Sequence, residues 1–239
     1  MREGLSTDTL KSIYGRIAGF YDFEHGLITA RSDQRGRRMV VARTVAEGDQ
    51  VLDCGAGTGS TALLSAREVG PSGTITLFDL SADMLRVARE RAARAGLAGR
   101  MTFERGDMVH LPFTDGSFDA AVSTYSLCPL YDPARGALEI YRVVRPGGRI
   151  GVAHSVDPRN PWLARLGRWV EAVAWRLPLL SMGCRSVNVL PALQEAGGRV
   201  VFERRIGVPL WPFVVFVIEK PGVSAAGSAA AGSAAAGER

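Results

Sequence analysis

The stretch Val51-Leu-Asp-Cys-Gly-Ala-Gly-Thr-Gly-Ser60 decides the fold of this chain. An apolar run that ends in an acidic residue and then in three alternate glycines predicts a buried strand turning sharply into a helix. Gly55, Gly57 and Gly59 lack the Cβ atoms that would keep a ligand away from the backbone, and they allow the φ values that such a turn needs. The helix expected from Thr58 points its free N–H groups and positive dipole end at the same place. We therefore expect a small-molecule site at this turn.

The composition is that of an ordinary globular chain with a sizeable core. Of its 239 residues 46% are hydrophobic, and 29 basic residues against 24 acidic ones give a net charge of +5. This excess fits either a solvated basic face or contact with an anionic partner such as a membrane surface. No dense basic cluster is interleaved with aromatic residues, so we do not expect nucleic acid as a partner.

The cysteines and the apolar runs indicate the cellular compartment of the protein. Cys54, Cys128 and Cys184 are widely spaced and form no C-x-x-C pair, so neither a disulfide framework nor a metal site is expected. Residues 1–8 lack the apolar run of a secretory signal, and no stretch of about 18 uncharged apolar residues occurs. We therefore expect a cytoplasmic protein without a membrane-spanning helix.

Strands and helices alternate along the first two thirds of the chain. Strands are predicted at 51–53, 74–78, 101–105, 118–124 and 149–153, separated by helices at 33–46, 58–69, 82–95 and 133–144. A later helix at 190–196 and strands at 201–207 and 213–219 complete the sheet. This alternation predicts an α/β fold in which an open, mostly parallel sheet carries helices on both faces.

The outer segments divide the chain into three parts. Residues 1–35 are expected to form an N-terminal cap, and residues 36–220 the main domain. Residues 221–239 repeat Gly, Ser and Ala without an apolar face, so they are expected to form a flexible tail.

Two acidic residues at predicted strand ends narrow the range of possible ligands. Asp79 follows the second strand, where a carboxylate can accept hydrogen bonds from the two hydroxyls of a ribose. Asp107-Met108 follows the third strand, where the acid can accept from the amine of an adenine and the Met side chain can lie against its ring. The glycine pattern is Gly-x-Gly-x-Gly without a following Gly-Lys-Ser/Thr, which argues against a P-loop. These features of the sequence match S-adenosylmethionine better than NAD, which is the weaker alternative.

The motifs resemble those of a known family. Residues 51–59 look like motif I of the class I S-adenosylmethionine-dependent methyltransferases, and later motifs of that family match in order and spacing: Phe78-Asp79, Gly106-Asp107-Met108, Phe118-Asp119 and Arg142-Val-Val-Arg-Pro-Gly-Gly148. The lead-in Arg16-Ile-Ala-x-x-Tyr21-Asp22 and residues 111–119 resemble the ubiquinone/menaquinone-biosynthesis methyltransferases. The later part of the chain looks more like thiol- and phospholipid-methylating relatives.

The resemblance implies a Rossmann-like seven-stranded sheet with an antiparallel last strand and a set of cofactor contacts. Gly55, Gly57, Thr58 and Gly59 would surround the methionine end, Asp53 would orient the ammonium, and Ser123 or Thr124 would lie near the sulfonium. The full expected set of cofactor-binding residues is Tyr21, Asp53, Gly55, Gly57, Thr58, Gly59, Asp79, Leu80, Met84, Asp107, Met108, Ser123 and Thr124.

The catalytic residues depend on the acceptor. A thiol or a free amine needs little help, whereas a phenol or a ring carbon needs a base to remove a proton. His154 and Tyr21 are the expected catalytic residues, because a neutral histidine suits that task near pH 7. Tyr125 and Asp157 are further candidates.

A predicted helix at 162–177 carries its apolar residues, two of them Trp162 and Trp169, on one arc and arginines outside it. This helix could pack on the domain, close over an apolar substrate, or lie at a membrane surface. We expect a lipophilic acceptor: a quinone precursor, a phospholipid amine or a thiol. The alternative to an enzyme is a non-catalytic scaffold or sensor that binds S-adenosylmethionine. The oligomeric state is left open.

Overall fold

A computed structural model of the chain describes residues 32–174 and 185–222. In chain order the helices and strands of this part are α1 (Ser32–Thr44), β1 (Gln50–Cys54), α2 (Ser60–Glu68), β2 (Thr74–Asp79), α3 (Ala82–Arg94), a 3₁₀ turn (Ala98–Arg100), β3 (Met101–Arg105), β4 (Phe118–Thr124), α4 (Pro133–Val143), β5 (Val144–Ser155), α5 (Pro161–Ala174), α6 (Leu190–Glu195), β6 (Arg199–Val208) and β7 (Trp211–Glu219).

The seven strands form a single sheet in the order β3-β2-β1-β4-β5-β7-β6. Strands β1 to β5 pair in parallel, while β7 runs antiparallel to both β5 and β6. The predicted fold class, a mostly parallel seven-stranded sheet with an antiparallel last strand, is therefore confirmed.

Helices cover both faces of the sheet because successive residues of each strand point to opposite sides. On one face, Val51 and Ile75 pack in a cluster with residues of α1, α2 and α3. On the other face, Leu52 and Phe216 pack with residues of α4 and α6. The central strands are buried on both sides, which explains why their sequences are almost continuously apolar.

The helix boundaries follow from local sequence signals. The Ser81 hydroxyl accepts a hydrogen bond from Met84 N and caps α3, as predicted. Gly96, with φ +68°, follows the end of that helix. Asp132 caps α4 by accepting from Arg135 N, and Pro133 occupies its first turn, where no N–H partner is needed.

The order of the strands determines where a ligand can bind. β1 and β4 are neighbours, although the chain passes through β2 and β3 between them. The chain therefore leaves β1 and β4 toward opposite sides of the sheet, which opens a crevice at the carboxyl ends of the strands. The glycine loop, Asp79, Asp107 and Thr124 all lie at this edge.

Most predicted ends of helices and strands agree with the structure to within two residues, and one strand boundary differs by more. β5 begins at Val144 instead of Arg149, because Val144 pairs with Phe118 before an irregularity in the ladder, so the Arg145-Pro-Gly-Gly148 turn lies inside the strand. The expected border between cap and domain at 35/36 falls inside α1. Most of the predicted cap, the end of the 162–177 helix and nearly all of the tail lie outside the described residues. In the part that is described, no helix is long and apolar enough to cross a bilayer.

Candidate functional site

A cleft of about 840 Å³, measured to its open mouth, lies at the carboxyl ends of β1, β2, β3 and β4. Nine of the residues predicted to bind the cofactor line it: Gly55, Gly57, Thr58, Asp79, Leu80, Met84, Asp107, Met108 and Thr124.

The glycine loop needs its glycines for two different reasons. Gly55, Gly57 and Gly59 have φ values of +72°, +54° and +80°, which side-chain-bearing residues rarely adopt. A Cβ on Gly55 would lie 2.3 Å from Ser126 Cβ, whereas a Cβ on Gly57 would meet nothing within 4 Å. The position at Gly57 therefore opens into the cleft and leaves room for a ligand against the backbone.

A side chain of α3 holds this loop in place. Arg91 Nη1 donates to the carbonyl oxygen of Thr58 at 3.1 Å, to its hydroxyl at 3.0 Å and to the hydroxyl of Ser60 at 3.2 Å. Thr58 and Ser60 line the cleft, so Arg91 supports the loop from outside the site. This role was missed at the sequence level because the arginines of that helix looked like a solvated face.

Asp79 connects the two loops that form the floor of the cleft. Its Oδ2 accepts from Gly57 N at 2.8 Å, and its Oδ1 accepts from Ser81 N at 2.8 Å. Desolvation raises the pKa of this carboxyl, and the two backbone N–H groups oppose the rise. Asp79 thus stands where the ribose acid was predicted, with lone pairs remaining on both oxygens.

Asp107 occupies the position predicted for the adenine contact. Its Oδ1 accepts from Val109 N at 3.1 Å, and its Oδ2 accepts from the hydroxyl of Tyr131 at 3.1 Å. Met108 is buried next to it and lines the cleft. The cleft therefore offers an acceptor and an apolar surface side by side, which fits an adenine.

The cleft also contains a residue that was not predicted. Arg37 of α1 lines the cleft, although only 5% of the residue is exposed. Its Nη1 donates to Thr61 Oγ1 at 2.8 Å and to Thr124 Oγ1 at 2.7 Å. Arg37 precedes the buried Val40 and Val41 by three and four residues and so shares their helix face, but which face of α1 is buried depends on how the helix packs on the sheet.

Three residues predicted to bind the cofactor do not line the cleft: Asp53, Gly59 and Ser123. Gly59 precedes α2 as its N-cap, and Ser123 is fully buried, with its Oγ 2.7 Å from Ser126 Oγ. Asp53 is buried beneath the loop, and within the described residues its carboxylate oxygens have no hydrogen-bond partner. Burial raises the pKa of Asp53 to about 7, against the effect of Arg37.

The structure corrects the role predicted for His154. The imidazole is fully buried on β5, stacks edge-on against Phe216 and does not line the cleft. Its Nδ1 donates to the carbonyl oxygen of Ser155 at 3.0 Å, and burial lowers its pKa to about 4. A base must reach the proton it removes, so His154 is a core residue, and the prediction of a catalytic histidine was wrong.

The other candidate bases are placed as follows. Tyr125 lines the cleft, but its hydroxyl donates to the Asp33 carbonyl at 3.4 Å, and burial raises its pKa well above the usual range. Asp157 lies outside the cleft, in a small hollow next to α5, 3.9 Å from Arg168. Tyr21 lies outside the described residues.

Several features of this structure show that the residues of the cleft suit S-adenosylmethionine. The open position at Gly57 leaves room for a ligand at the backbone, and the buried Arg37 Nε has no hydrogen-bond partner among the described residues. Asp79 and Asp107 supply acceptors for the adenosine. No cluster of three or more metal-binding side chains occurs within residues 32–174 and 185–222.

Comparisons with known proteins agree with this geometry. Residues 51–148 match the profile of the methyltransferase domain family. The chain is 30% identical over 161 residues to the demethylmenaquinone methyltransferase of Lactiplantibacillus plantarum, covering 67% of this chain and 68% of that protein. It is 34% identical over 176 residues to the 2-phytyl-1,4-naphtoquinone methyltransferase of Synechococcus elongatus, covering 71% and 76%.

Solved structures share the fold at lower identity. The [4+2]-cyclase SpnF superimposes with a TM-score of 0.65 at 24% identity, over 81% of this chain and 83% of that one. Because that protein is named for a different reaction, likeness of fold alone would not establish the chemistry. The curated relatives, the matching domain and the acids of the cleft together establish it as methyl transfer. This chain belongs to the class I S-adenosylmethionine-dependent methyltransferases.

Proposed function

We propose that this enzyme methylates a lipophilic small molecule, and that its acceptor is a hydroquinone of the type used in quinone biosynthesis. The observation that carries the proposal is the apolar wall that Pro129 and Leu130 form in the cleft, next to the cofactor-binding residues. Such a wall favours an acceptor that gains little from hydrogen bonds. The names of the two curated relatives, which specify a demethylmenaquinone and a phytyl naphthoquinone, support the same class.

The chain contributes alignment to the reaction. When bound, the cofactor supplies a methyl group on a sulfonium, and the thioether is the leaving group. The hydrogen bond from Gly57 to Asp79 and the contacts of Arg91 with Thr58 fix one wall of the cleft. Arg37 and Thr124 fix the other. Rigid walls would hold the acceptor against the cofactor, and such alignment is the main catalytic effect in a displacement of this kind.

Methylation of a ring carbon also requires the loss of a proton. Among the described residues that line the cleft there is no histidine. We therefore keep Tyr21 as the proposed proton acceptor and cofactor contact, on the basis of its place in the Arg16-Ile-Ala-x-x-Tyr21-Asp22 motif. Replacing Tyr21 with Phe should lower kcat for a hydroquinone, and it should leave the rate unchanged for a thiol, which ionises by itself.

The experiment that tests the acceptor is a competition between substrate classes. The enzyme is assayed with one labelled cofactor against reduced naphthoquinones, phosphatidylethanolamine and an aliphatic thiol, each in detergent. We expect transfer to the hydroquinone, and Leu130→Ala should raise KM for it more than Leu138→Ala, an exposed apolar control on α4. Transfer to the amine or the thiol alone would overturn the proposed class and leave the cofactor assignment intact.

Helix α5 gives a second part of the proposal, namely how such an acceptor is reached. The small residues Ala164 and Gly167 are buried, whereas Trp162, Leu166 and Trp169 are 74%, 48% and 66% exposed. These three residues lie at intervals of four and three, so they share one face of the helix. These three large apolar side chains are therefore exposed, while Leu163 and Val170 of the same helix are half-buried.

The surroundings of this face favour an anionic surface. Arg165 and Arg168 are exposed beside it, and Arg165 lies over the Trp162 ring with 6.0 Å from Cζ to the ring centroid. α5 follows the carboxyl end of β5, which is the edge of the sheet where the cleft opens. Exposed Trp residues flanked by arginines are typical of helices that lie at a membrane interface. We propose a cytoplasmic enzyme in peripheral contact with the membrane through residues 162–177.

Vesicle flotation tests this contact. At low salt we expect the protein to float with vesicles that contain phosphatidylglycerol and less with pure phosphatidylcholine. Trp162→Ala/Trp169→Ala should lose flotation, and the matched pair Leu138→Ala/Val201→Ala, which removes exposed apolar side chains elsewhere, should keep it. Failure of the wild-type protein to float with anionic vesicles would overturn the membrane contact.

A further inference from the structure

Tyr131 brings a hydroxyl group into the cleft beside the acid predicted to bind the adenine. The residue lines the cleft and is 44% exposed, and its hydroxyl donates to Asp107 Oδ2 at 3.1 Å. Tyr131 lies in the connection between β4 and α4, whereas Asp107 follows β3. Two separate segments of the chain therefore form one polar site, and the sequence motifs indicated only the segment that carries Asp107.

The residues on either side hold Tyr131 in a fixed place. Leu130 before it is buried, and the carboxylate of Asp132 after it caps α4. A Cβ on Gly136 of α4 would lie 2.7 Å from Leu130 Cδ2, so this glycine lets the segment pack closely on the helix. The backbone of Tyr131 is therefore fixed although its ring is exposed.

The loop that carries Asp107 is held to the same helix. Arg135, in the first turn of α4, donates from Nε to the carbonyl oxygen of Val109 at 3.2 Å, and its Nη2 lies 2.8 Å from His110 Nε2. Asp107 Oδ1 accepts from Val109 N within that loop. The packing of the two segments thus sets the distance between the carboxylate of Asp107 and the hydroxyl of Tyr131.

These two side chains offer two kinds of acceptor at one place. A carboxylate has about four lone-pair positions, and two of those on Asp107 are used by Val109 N and the Tyr131 hydroxyl. The hydroxyl donates its single hydrogen to the acid and keeps its own lone pairs. Desolvation and the neighbouring Asp107 raise the pKa of Tyr131, so the hydroxyl stays protonated. An amino group with two hydrogens can bond to both acceptors, whereas an oxo group would face lone pairs only.

We infer that Tyr131 is a specificity-determining residue for the base of the cofactor. The exocyclic amino group of the adenine donates one hydrogen to Asp107 and the other to the Tyr131 hydroxyl, so the cleft disfavours a base whose amino group is methylated or replaced by an oxo group. The inference rests on the cofactor assignment and on the placement of the adenine at Asp107, and it is independent of the methyl acceptor proposed above.

Calorimetry of the full-length protein with three ligands tests the inference: S-adenosylhomocysteine, its N6-methyl derivative, and S-inosylhomocysteine, in which an oxo group replaces the amino group. Wild type should bind S-adenosylhomocysteine about 10-fold more tightly than the methyl derivative and about 100-fold more tightly than the inosine analogue. Tyr131→Phe keeps the ring and removes the hydroxyl. It should weaken S-adenosylhomocysteine about 3- to 10-fold and leave the methyl derivative unchanged, because that ligand gives its one remaining hydrogen to the acid.

Tyr141→Phe is the matched control, since Tyr141 lies on α4 and is not among the residues that line the cleft. This variant should keep wild-type affinity for all three ligands. A preference for S-adenosylhomocysteine over its methyl derivative that is the same in wild type and Tyr131→Phe would overturn the inference. An equal loss of affinity for all three ligands in Tyr131→Phe would also overturn it, because the hydroxyl would then only hold Asp107 in place.

Asp107→Asn tests the adenine placement on which the inference rests. An amide can present its NH₂ group to an oxo group, so this variant should narrow the gap between S-adenosylhomocysteine and S-inosylhomocysteine. An unchanged gap would mean that the adenine lies elsewhere in the cleft, and it would overturn the placement and the inference together. The transfer assays for the methyl acceptor use the unmodified cofactor and depend on neither result.

Discussion

The backbone N–H of Gly57 donates to Asp79 Oδ2 at 2.8 Å, so the residue at the end of β2 fixes the loop that follows β1. The other oxygen of Asp79 accepts from Ser81 N. Asp79 therefore serves the fold and the ligand at once. Its replacement should affect both loop geometry and cofactor binding.

Asp79→Asn should lower both the stability of the fold and the affinity for the cofactor, as Asp79→Ala should. An amide presents its NH₂ group to one of two backbone donors, which leaves a partly buried N–H without an acceptor. The loss should be about 1–3 kcal/mol in the free energy of unfolding, together with a weaker Kd for S-adenosylhomocysteine. Urea denaturation and calorimetry measure the two effects. Asp83→Asn, on the exposed first turn of α3, is the control, and wild-type binding by Asp79→Asn would refute the bridging role.

Gly57→Ala separates backbone strain from space for the ligand. Gly57 and Gly96 have φ of +54° and +68°, and a Cβ on either meets nothing within 4 Å, but only Gly57 lines the cleft. Both alanine variants should lose about 1 kcal/mol of stability. Only Gly57→Ala should weaken cofactor binding. Equal affinities in the two variants would contradict the placement of the cofactor against this loop.

Cofactor affinity should rise with pH through Asp53. Burial raises the pKa of this carboxyl to about 7, and a nearby ligand ammonium favours its charged form. Binding of S-adenosylhomocysteine near pH 6 should therefore release a proton and become tighter toward pH 8. Titrations in buffers of different ionisation enthalpy count that proton, and Asp53→Asn should release none. A pH-independent affinity in the wild type would exclude this coupling.

In the unliganded protein, the Asp53 carboxyl lowers the free energy of unfolding as pH rises, whereas it strengthens cofactor binding over the same change. Between pH 4 and 7 the folded state keeps a proton on Asp53 that the unfolded state has lost. This group therefore makes the free energy of unfolding fall as pH rises through that window. Asp53→Asn should remove the fall, and an unchanged pH profile in the variant would contradict the assigned pKa.

His154→Gln tests the correction of the predicted catalytic residue. Because the imidazole does not line the cleft, kcat should stay within about threefold of wild type. Burial lowers the pKa of His154 to about 4, so the unfolded state binds a proton between pH 6.5 and 4 that the folded state does not. Wild-type stability should fall in that window by up to about 3 kcal/mol, and the variant should lack this loss. A large drop in kcat would restore His154 to the mechanism.

The local signals of the sequence were sufficient for most of the sheet and for the place of two acids at one edge of it. Strands β3 and β4 have the predicted ends, and Asp79 and Asp107 lie at the predicted edge, because the glycine loop and the strand periodicity are local patterns. Arg37 and His154 could not be placed in the same way. Their burial depends on which helix covers which strand, and neither residue type indicates burial by itself.

The most direct test of the account is transfer of a labelled methyl group from S-adenosylmethionine to a reduced demethylated naphthoquinone, with the product mapped by mass spectrometry. We predict one added methyl on a ring carbon for the wild-type enzyme and loss of transfer for Asp79→Ala. Binding of S-adenosylmethionine without transfer to this hydroquinone, or to any amine or thiol tested beside it, would contradict the account and favour a non-catalytic binding protein.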